Sequence, residues 1–264
     1  MSITSRLAVA AGIVSAAVTT VAAVGVPAQA AAPDAATPAP LVTKVIDYPS
    51  FKRGPNLHLN GSTMIAPGTG MAKPAVLRLT NSKAHQAGTA WSSVPINVTK
   101  QSFTSTFVVH NQGTGVHGDG MAFVVHSAGK KALGFGGGAM GYANIKPALA
   151  VEFDTYKNAY DPNANHISVM TGGKAETPVV TKTSPVALFG KPFRATVAYD
   201  AKTKMLRVSL LELGKQGPAV QVLATKYDLP TLLGVKPVLM GFSGGTGSNV
   251  STQDVRSWTV TLTK

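Results

Sequence analysis

Val151-Glu152-Phe153-Asp154-Thr155-Tyr156-Lys157-Asn158-Ala159-Tyr160-Asp161 is the stretch on which the reading of this chain turns. The whole sequence of 264 residues carries only 11 Asp and Glu, and residues 51–118 contain none, yet Glu152, Asp154 and Asp161 fall together here. In a strand, residues two apart share a face, so Glu152 and Asp154 project together while Val151 and Phe153 face a core. Two neighbouring carboxylates on one sheet face repel unless a cation lies between them. Tyr156 to Asn165 is rich in turn formers and oxygen donors. His166 then opens a second alternating run, Ile167-Ser168-Val169-Met170. Antiparallel pairing of the two runs would return His166 beside the carboxylates. Several oxygens converging in this way suit calcium, and one imidazole nitrogen among oxygens in an octahedral site suits manganese. The alternative is a polar loop in which His166 merely caps a strand.

Strand signals continue on either side. Val76 to Thr80 alternates, as does Ser102 to Phe107 in part. Met205 to Leu213 puts Leu206, Val208 and Leu210 on one face. Trp258, Val260 and Leu262 point one way at the end of the chain, and Thr259, Thr261 and Thr263 the other. Glycine, proline and asparagine clusters such as Gly241 to Gly247 separate these runs, and a short turn of helix is expected near Tyr227 to Leu233. The pattern predicts an all-β fold, an antiparallel β-sandwich or jelly roll.

The N-terminus has a different character. Arg6 precedes an apolar, alanine-dominated run from Leu7 to Val26, then Pro27 and Ala28-Gln29-Ala30. That layout predicts a secretory signal peptide over residues 1–30, hence a secreted, extracellular protein with no stable membrane insertion after cleavage. An uncleaved membrane anchor is the other reading of such a run. Residues 31–40 (AAPDAATPAP) read as an Ala/Pro linker and residues 41–264 as one domain. There is no cysteine, so stability rests on the core and on any bound metal. The formal charge of +13 becomes 13 − 1 = +12 once Arg6 is removed, which favours anionic partners, acidic glycans among them.

The segment Ala150 to Asn158, followed by Asp161-Pro162 and His166, resembles the metal-binding signature of the legume (L-type) lectins. Asn56 to Gly61, Ala90-Trp91, Gly118-Asp119-Gly120-Met121-Ala122-Phe123, Gly241-Phe242-Ser243 and Ser257-Trp258 resemble further parts of that family in the same order, so the likeness covers residues 41–264. The glycine-rich run Leu133 to Gly141 looks closer to bacterial members. The resemblance implies a concanavalin-like lectin sandwich, and it implies roles residue by residue. Glu152, Asp154, Asp161 and His166 would hold manganese or another transition metal. Asp154, the Tyr156 carbonyl, Asn158 and Asp161 would hold calcium. Asp119 would accept from sugar hydroxyls, and Asn158 and a glycine N–H, placed at Gly138, would donate. Tyr156 or Tyr160 would stack on the sugar, and Ser248 and Asn249 would lie in the specificity loop. A cis peptide is implied at Gly118-Asp119. The expected partner is then a glycan or glycoconjugate. Sandwiches of this family often associate through sheet faces, which is compatible with a homo-oligomer, although no self-complementary patch can be read in the sequence.

Three rival readings of these residues stand beside the lectin resemblance. A glycoside hydrolase on the same sandwich needs a pair of carboxylates as nucleophile and acid/base, in a strand reading Glu-x-Asp-x-x-Glu; here Lys157 holds the third position, so no enzyme is expected. A specific nucleic-acid partner is not expected either, because Lys and Arg are scattered, with only small pairs at Lys52-Arg53 and Lys130-Lys131. A degenerate lectin fold used as an adhesion or structural module is the remaining alternative. The other histidines read as ordinary strand or loop residues, His117 standing apart because it lies two residues before Asp119.

Overall fold

In the strand Ser102–Gln112, Phe103, Phe107 and Val109 are buried while Thr104, Thr106 and His110 turn outward, the period of two expected of a half-buried strand. The same rule builds the rest of the computed structural model, which describes residues 41–52, 54, 56–68 and 74–264. The expected signal peptide and linker, residues 1–40, lie outside the described residues. In chain order the first strands are β1 (Val42–Tyr48), β2 (Leu57–Gly61), β3 (Met64–Ala66), β4 (Val76–Asn81), β5 (Ala87–Ser92), β6 (Ser102–Gln112) and β7 (Gly120–His126). They are followed by β8 (Ala148–Asp154), β9 (His166–Thr171), β10 (Val180–Thr183), β11 (Phe193–Asp200) and β12 (Met205–Glu212). The last are β13 (Val220–Lys226), β14 (Leu239–Gly245) and β15 (Thr252–Thr263). One helical turn, α1 (Leu229–Leu233), sits where it was expected, capped by the Asp228 carboxylate accepting from the Thr231 N–H. Among the described residues no helix is long and apolar enough to cross a membrane.

The strands form two antiparallel sheets. One has the order β13-β12-β11-β6-β15-β4-β3, with β1 also paired to β15, and the other has the order β10-β9-β8-β7-β14-β5-β2. The chain is therefore an all-β sandwich. Between the sheets, Phe107 meets Phe123, Phe153 and Phe242 at centroid distances of 5.6, 5.6 and 4.9 Å, and Trp258 lies 4.9 Å from Phe242. Burying an aromatic ring of this size contributes about 1.5–3 kcal/mol, so this cluster fixes how the two sheets stack.

A second, smaller core covers the outer face of the second sheet. Met140, Tyr142 and Ile145 pack on Trp91, Val124, Ala150 and Met170. As a result β7 and β8 are buried on both faces. Glu152 and Asp154 do project to the same side, but that side is roofed over, and each is only 3% exposed.

Candidate functional site

The cross-strand register explains why distant pieces of sequence meet. Asp154 at the end of β8 pairs with His166 at the start of β9 and with Gly120 at the start of β7; Gly120 pairs in turn with Gly245 at the end of β14. Four strand ends therefore share one rim of the sheet, and the loops leaving them close over it. Gly120 is required there: its φ is +137°, and an added Cβ would lie 2.6 Å from the Phe153 carbonyl oxygen.

At this rim each aspartate of the loop uses one oxygen for the backbone and turns the other inward. Asp154 Oδ1 accepts the Tyr156 N–H at 2.7 Å, and Asp161 Oδ2 accepts the Asn158 N–H at 2.8 Å. Asp154 Oδ2 and Asp161 Oδ1 lie 3.8 and 3.4 Å from His166 Nε2. His166 Nδ1 is 2.7 Å from the Asn163 carbonyl oxygen, which can only accept, so Nδ1 carries a proton and Nε2 is the ring atom turned toward the carboxylates. One ligand atom from each of Asp154, Asp161 and His166 falls within 4.8 Å of the others. Carboxylate oxygens gathered this closely are unfavourable unless a cation sits among them.

Glu152 stands beside this trio rather than inside it. Its Oε1 accepts from Tyr142 Oη at 2.6 Å, and that hydroxyl also lies 2.9 Å from the Lys174 carbonyl. Burial, before any neighbouring charge, pushes the Glu152 carboxyl up to about 8 and the Asp154 carboxyl up to about 9. Among the described residues no lysine or arginine forms an ion pair with Glu152, Asp154 or Asp161. Carboxylate oxygens, one imidazole nitrogen and nearby loop carbonyls form a donor set that fits divalent metal ions. The Asn163 carbonyl behind His166 is the kind of outer partner that orients a ligating histidine.

The residues expected to touch sugar fall into two adjoining groups. The Gly118–Asp119 peptide is cis. Asp119 Oδ2 accepts the Gly247 N–H at 2.7 Å, and its carbonyl accepts the Thr155 N–H at 3.0 Å, so the aspartate ties three loops together. Burial raises its pKa, and the Gly247 bond works the other way. Tyr156 and Asn249 flank Gly118, each within 3.5 Å of where a Cβ would stand. Gly138 belongs to the second group: a Cβ on it would lie 3.5 Å from Asn158 Oδ1. Gly247, which holds Asp119, approaches Gly137 and so joins the two groups. Ser248 is exposed. His117, two residues before Asp119, stacks flat on Phe189 with centroids 3.5 Å apart.

Two cavities flank the loop Thr155 to Asp161. One, of about 550 Å³, has Phe135, Gly138, Asn158, Tyr160, Lys174 and Glu176 among its walls. The other, of about 560 Å³, is bounded by Val116, His117, Tyr156 and Lys157. Sequence reasoning missed Tyr142, Gly247, Phe135 and the turn Lys174 to Thr177. Nothing local marks these residues, because each reaches the site through tertiary packing.

A family description, legume lectin domain, matches residues 44–264. The bark lectin of Styphnolobium japonicum is 32% identical over 185 residues, which are 66% of this chain and 65% of that protein. The probable inactive L-type lectin-domain containing receptor kinase III.1 of Arabidopsis thaliana is 28% identical over 239 residues, 79% of this chain but only 36% of the kinase. The chain thus spans about a third of that receptor kinase and just under two thirds of the bark lectin. Among solved structures, basic winged bean lectin with Tn-antigen superposes with a TM-score of 0.72 at 24% identity, covering 84% of this chain and 98% of that one. Lectin II from Ulex europaeus gives 0.70 at 26% identity, with coverage of 84% and 98%. The Styphnolobium and Arabidopsis relatives are plant proteins, and they lend no support to a bacterial affinity of the run Leu133 to Gly141.

Proposed function

The chain belongs to the legume lectin domain family, and on that premise we propose that it is an exported, metal-dependent carbohydrate-binding protein without catalytic activity. The observation that carries the metal part is the inward-facing trio of Asp154, Asp161 and His166, with Asp154 and His166 buried, Asp161 partly so, and no lysine or arginine paired to them among the described residues. Glu152, Asp154, Asp161 and His166 would hold a transition metal such as manganese. Asp154, Asp161, Asn158 and the Tyr156 carbonyl would hold calcium. When bound, these ions supply the positive charge that the buried carboxylates lack and fix the loop that carries Asn158.

The sugar contacts follow from the chain's own groups. Asp119, oriented by the Gly247 N–H, offers its remaining carboxylate capacity to sugar hydroxyls. The Asn158 amide donates beside it. Gly138 lies in a 3-10 segment, Gly137–Ala139, whose Gly137 N–H donates to the Thr246 carbonyl and whose Ala139 N–H donates to the Gly136 carbonyl; the Gly138 N–H between them would donate to the sugar. Tyr156 presents an aromatic face against Gly118, and Ser248 with Asn249 borders the same opening. Export rests on the sequence of residues 1–30.

The test is a glycan-array screen of residues 31–264 with calcium and manganese, repeated after EDTA. Metal-dependent binding to a defined sugar set is expected. A folded protein that stays silent in both conditions would point instead to an adhesion or structural module on the same fold.

A further inference from the structure

The inward face of β15 carries Trp258, Val260 and Leu262, and a register shift between Val255 and Ser257 turns Val255 and Gln253 inward before them. Gln253 is therefore a fully buried amide on a face that is otherwise apolar, and Ser251, just before the strand, is fully buried too. A buried polar side chain is retained where its hydrogen bonds are made, so the partners of these two show what they hold. The sheets approach closely here: a Cβ on Gly244 of β14 would lie 2.1 Å from Gln253 Oε1 and 3.0 Å from the Leu79 Cβ. Gln253 Oε1 itself has no hydrogen-bond partner among the described residues, so the bonds of this amide are those of its nitrogen.

Gln253 Nε2 has two protons to give. It donates to the Gly245 carbonyl at 2.9 Å and to Ser251 Oγ at 3.1 Å. Ser251 Oγ, accepting there, sends its single proton to the Gly118 carbonyl at 2.8 Å. The Gly245 carbonyl also accepts the Asp119 N–H at 3.1 Å. Both branches thus end on the peptide unit that joins Gly118 to Asp119, one at its carbonyl and the other at its N–H. Ser251 is anchored from behind, because its own carbonyl accepts Thr80 Oγ1 at 2.7 Å and the Ser82 N–H at 3.2 Å. The Gly247 and Thr155 bonds hold the carboxylate and the carbonyl of Asp119, whereas the Gln253 branches hold the peptide on its other side.

We propose that Gln253 and Ser251 are positioning residues of the sugar site: anchored in the interior of the sandwich, they fix the Gly118–Asp119 backbone so that the Asp119 carboxylate meets a sugar hydroxyl in one direction. This rests on the lectin reading above, in which Asp119 accepts from the sugar. Neither side chain touches the ligand, because both are fully buried. Their effect passes through direction, since a hydrogen bond weakens steeply once donor and acceptor are misaligned. The metal ligands lie on a different loop, so metal affinity does not depend on this pair.

The experiment follows amide hydrogen exchange by NMR in the metal-loaded protein without sugar. Gln253→Met keeps the length of the side chain and removes its donors, and Ser251→Ala deletes only the hydroxyl, so the second variant decides should the first fail to fold. Each should speed exchange of the Asp119 amide by about tenfold, while the Tyr156 and Asn158 amides, bonded to Asp154 and Asp161, exchange as in wild type. Each should also weaken binding of the monosaccharide selected on the array by about tenfold, with manganese affinity unchanged. Wild-type exchange at Asp119 in the folded variants, or an equal rise at Tyr156 and Asn158, would overturn the positioning role. Sugar affinity that stays at the wild-type value despite faster exchange would overturn it as well. A wild-type protein silent on the array would overturn the lectin reading instead, and exchange at Asp119 would still decide whether Gln253 and Ser251 hold that peptide.

Discussion

Two groups of buried carboxylates in this molecule have opposite arrangements. On the first sheet, Asp254 is 2% exposed and takes a bidentate pair of bonds from Arg78, at 2.7 and 2.8 Å. That pairing holds the Arg78 guanidinium further above its already high pKa. On the rim of the second sheet, Glu152 and Asp154 are as deeply buried, yet no lysine or arginine is paired with them among the described residues. Burying a charge is costly unless it is paired. Asp254 carries its counter-charge within the fold, whereas the rim, on the proposed reading, would take one from a bound cation. The pairing, more than burial or composition, is what distinguishes the two groups.

The largest expected effect breaks the self-sufficient side. Arg78→Met leaves Asp254 buried alone and should cost about 3 kcal/mol, the low end for a broken buried pair because the Arg78 side chain is 19% exposed. Urea unfolding should show the same loss with EDTA as with metals, and a loss seen only in the metal-loaded protein would contradict the contrast. The double change Arg78→Met with Asp254→Leu should recover most of it.

The next effect belongs to the rim. Manganese alone at about 100 times its dissociation constant should add about 2.7 kcal/mol of stability. Asp154→Asn should erase that increment while leaving the chelated protein about as stable as wild type, because burial keeps the metal-free carboxyl protonated at neutral pH and the amide oxygen can still accept the Tyr156 N–H. Thermal unfolding in the two conditions checks this, and a variant destabilised under chelation would show that Asp154 stays charged and is held as an ion pair by His166.

The smallest effect is expected one step outside the metal ligands. Tyr142 Oη holds Glu152, so Tyr142→Phe should weaken metal binding by about tenfold, with little change in stability under EDTA. Metal titration followed by intrinsic fluorescence reads this directly. An unchanged metal affinity would leave Tyr142 as packing for the second core alone.

Much of the fold was legible along the chain because strand formation here follows a local period. Phe103 to Val109 and Trp258 to Leu262 announce their buried faces by alternation alone. The candidate ligands were legible for a related reason: Glu152, Asp154, Asp161 and His166 lie close in sequence, on two strands joined by one loop. Residues whose partners lie far along the chain were not legible. Gly247 reaches Asp119 across 128 positions, Arg78 reaches Asp254 across 176, and Phe135 enters the cavity wall only because its loop folds over the sheet.

The sequence by itself therefore determined an all-β sandwich and the identity of an acidic, histidine-bearing loop, since periodicity and residue chemistry are properties of short segments. The tertiary structure alone decided that β14 lies beside β7, that the glycine-rich run roofs the second sheet, and that, among the described residues, one set of buried carboxylates has an arginine while the other has none. Strand order and cross-sheet packing are set by side chains meeting over long sequence distances, and no local pattern encodes those meetings.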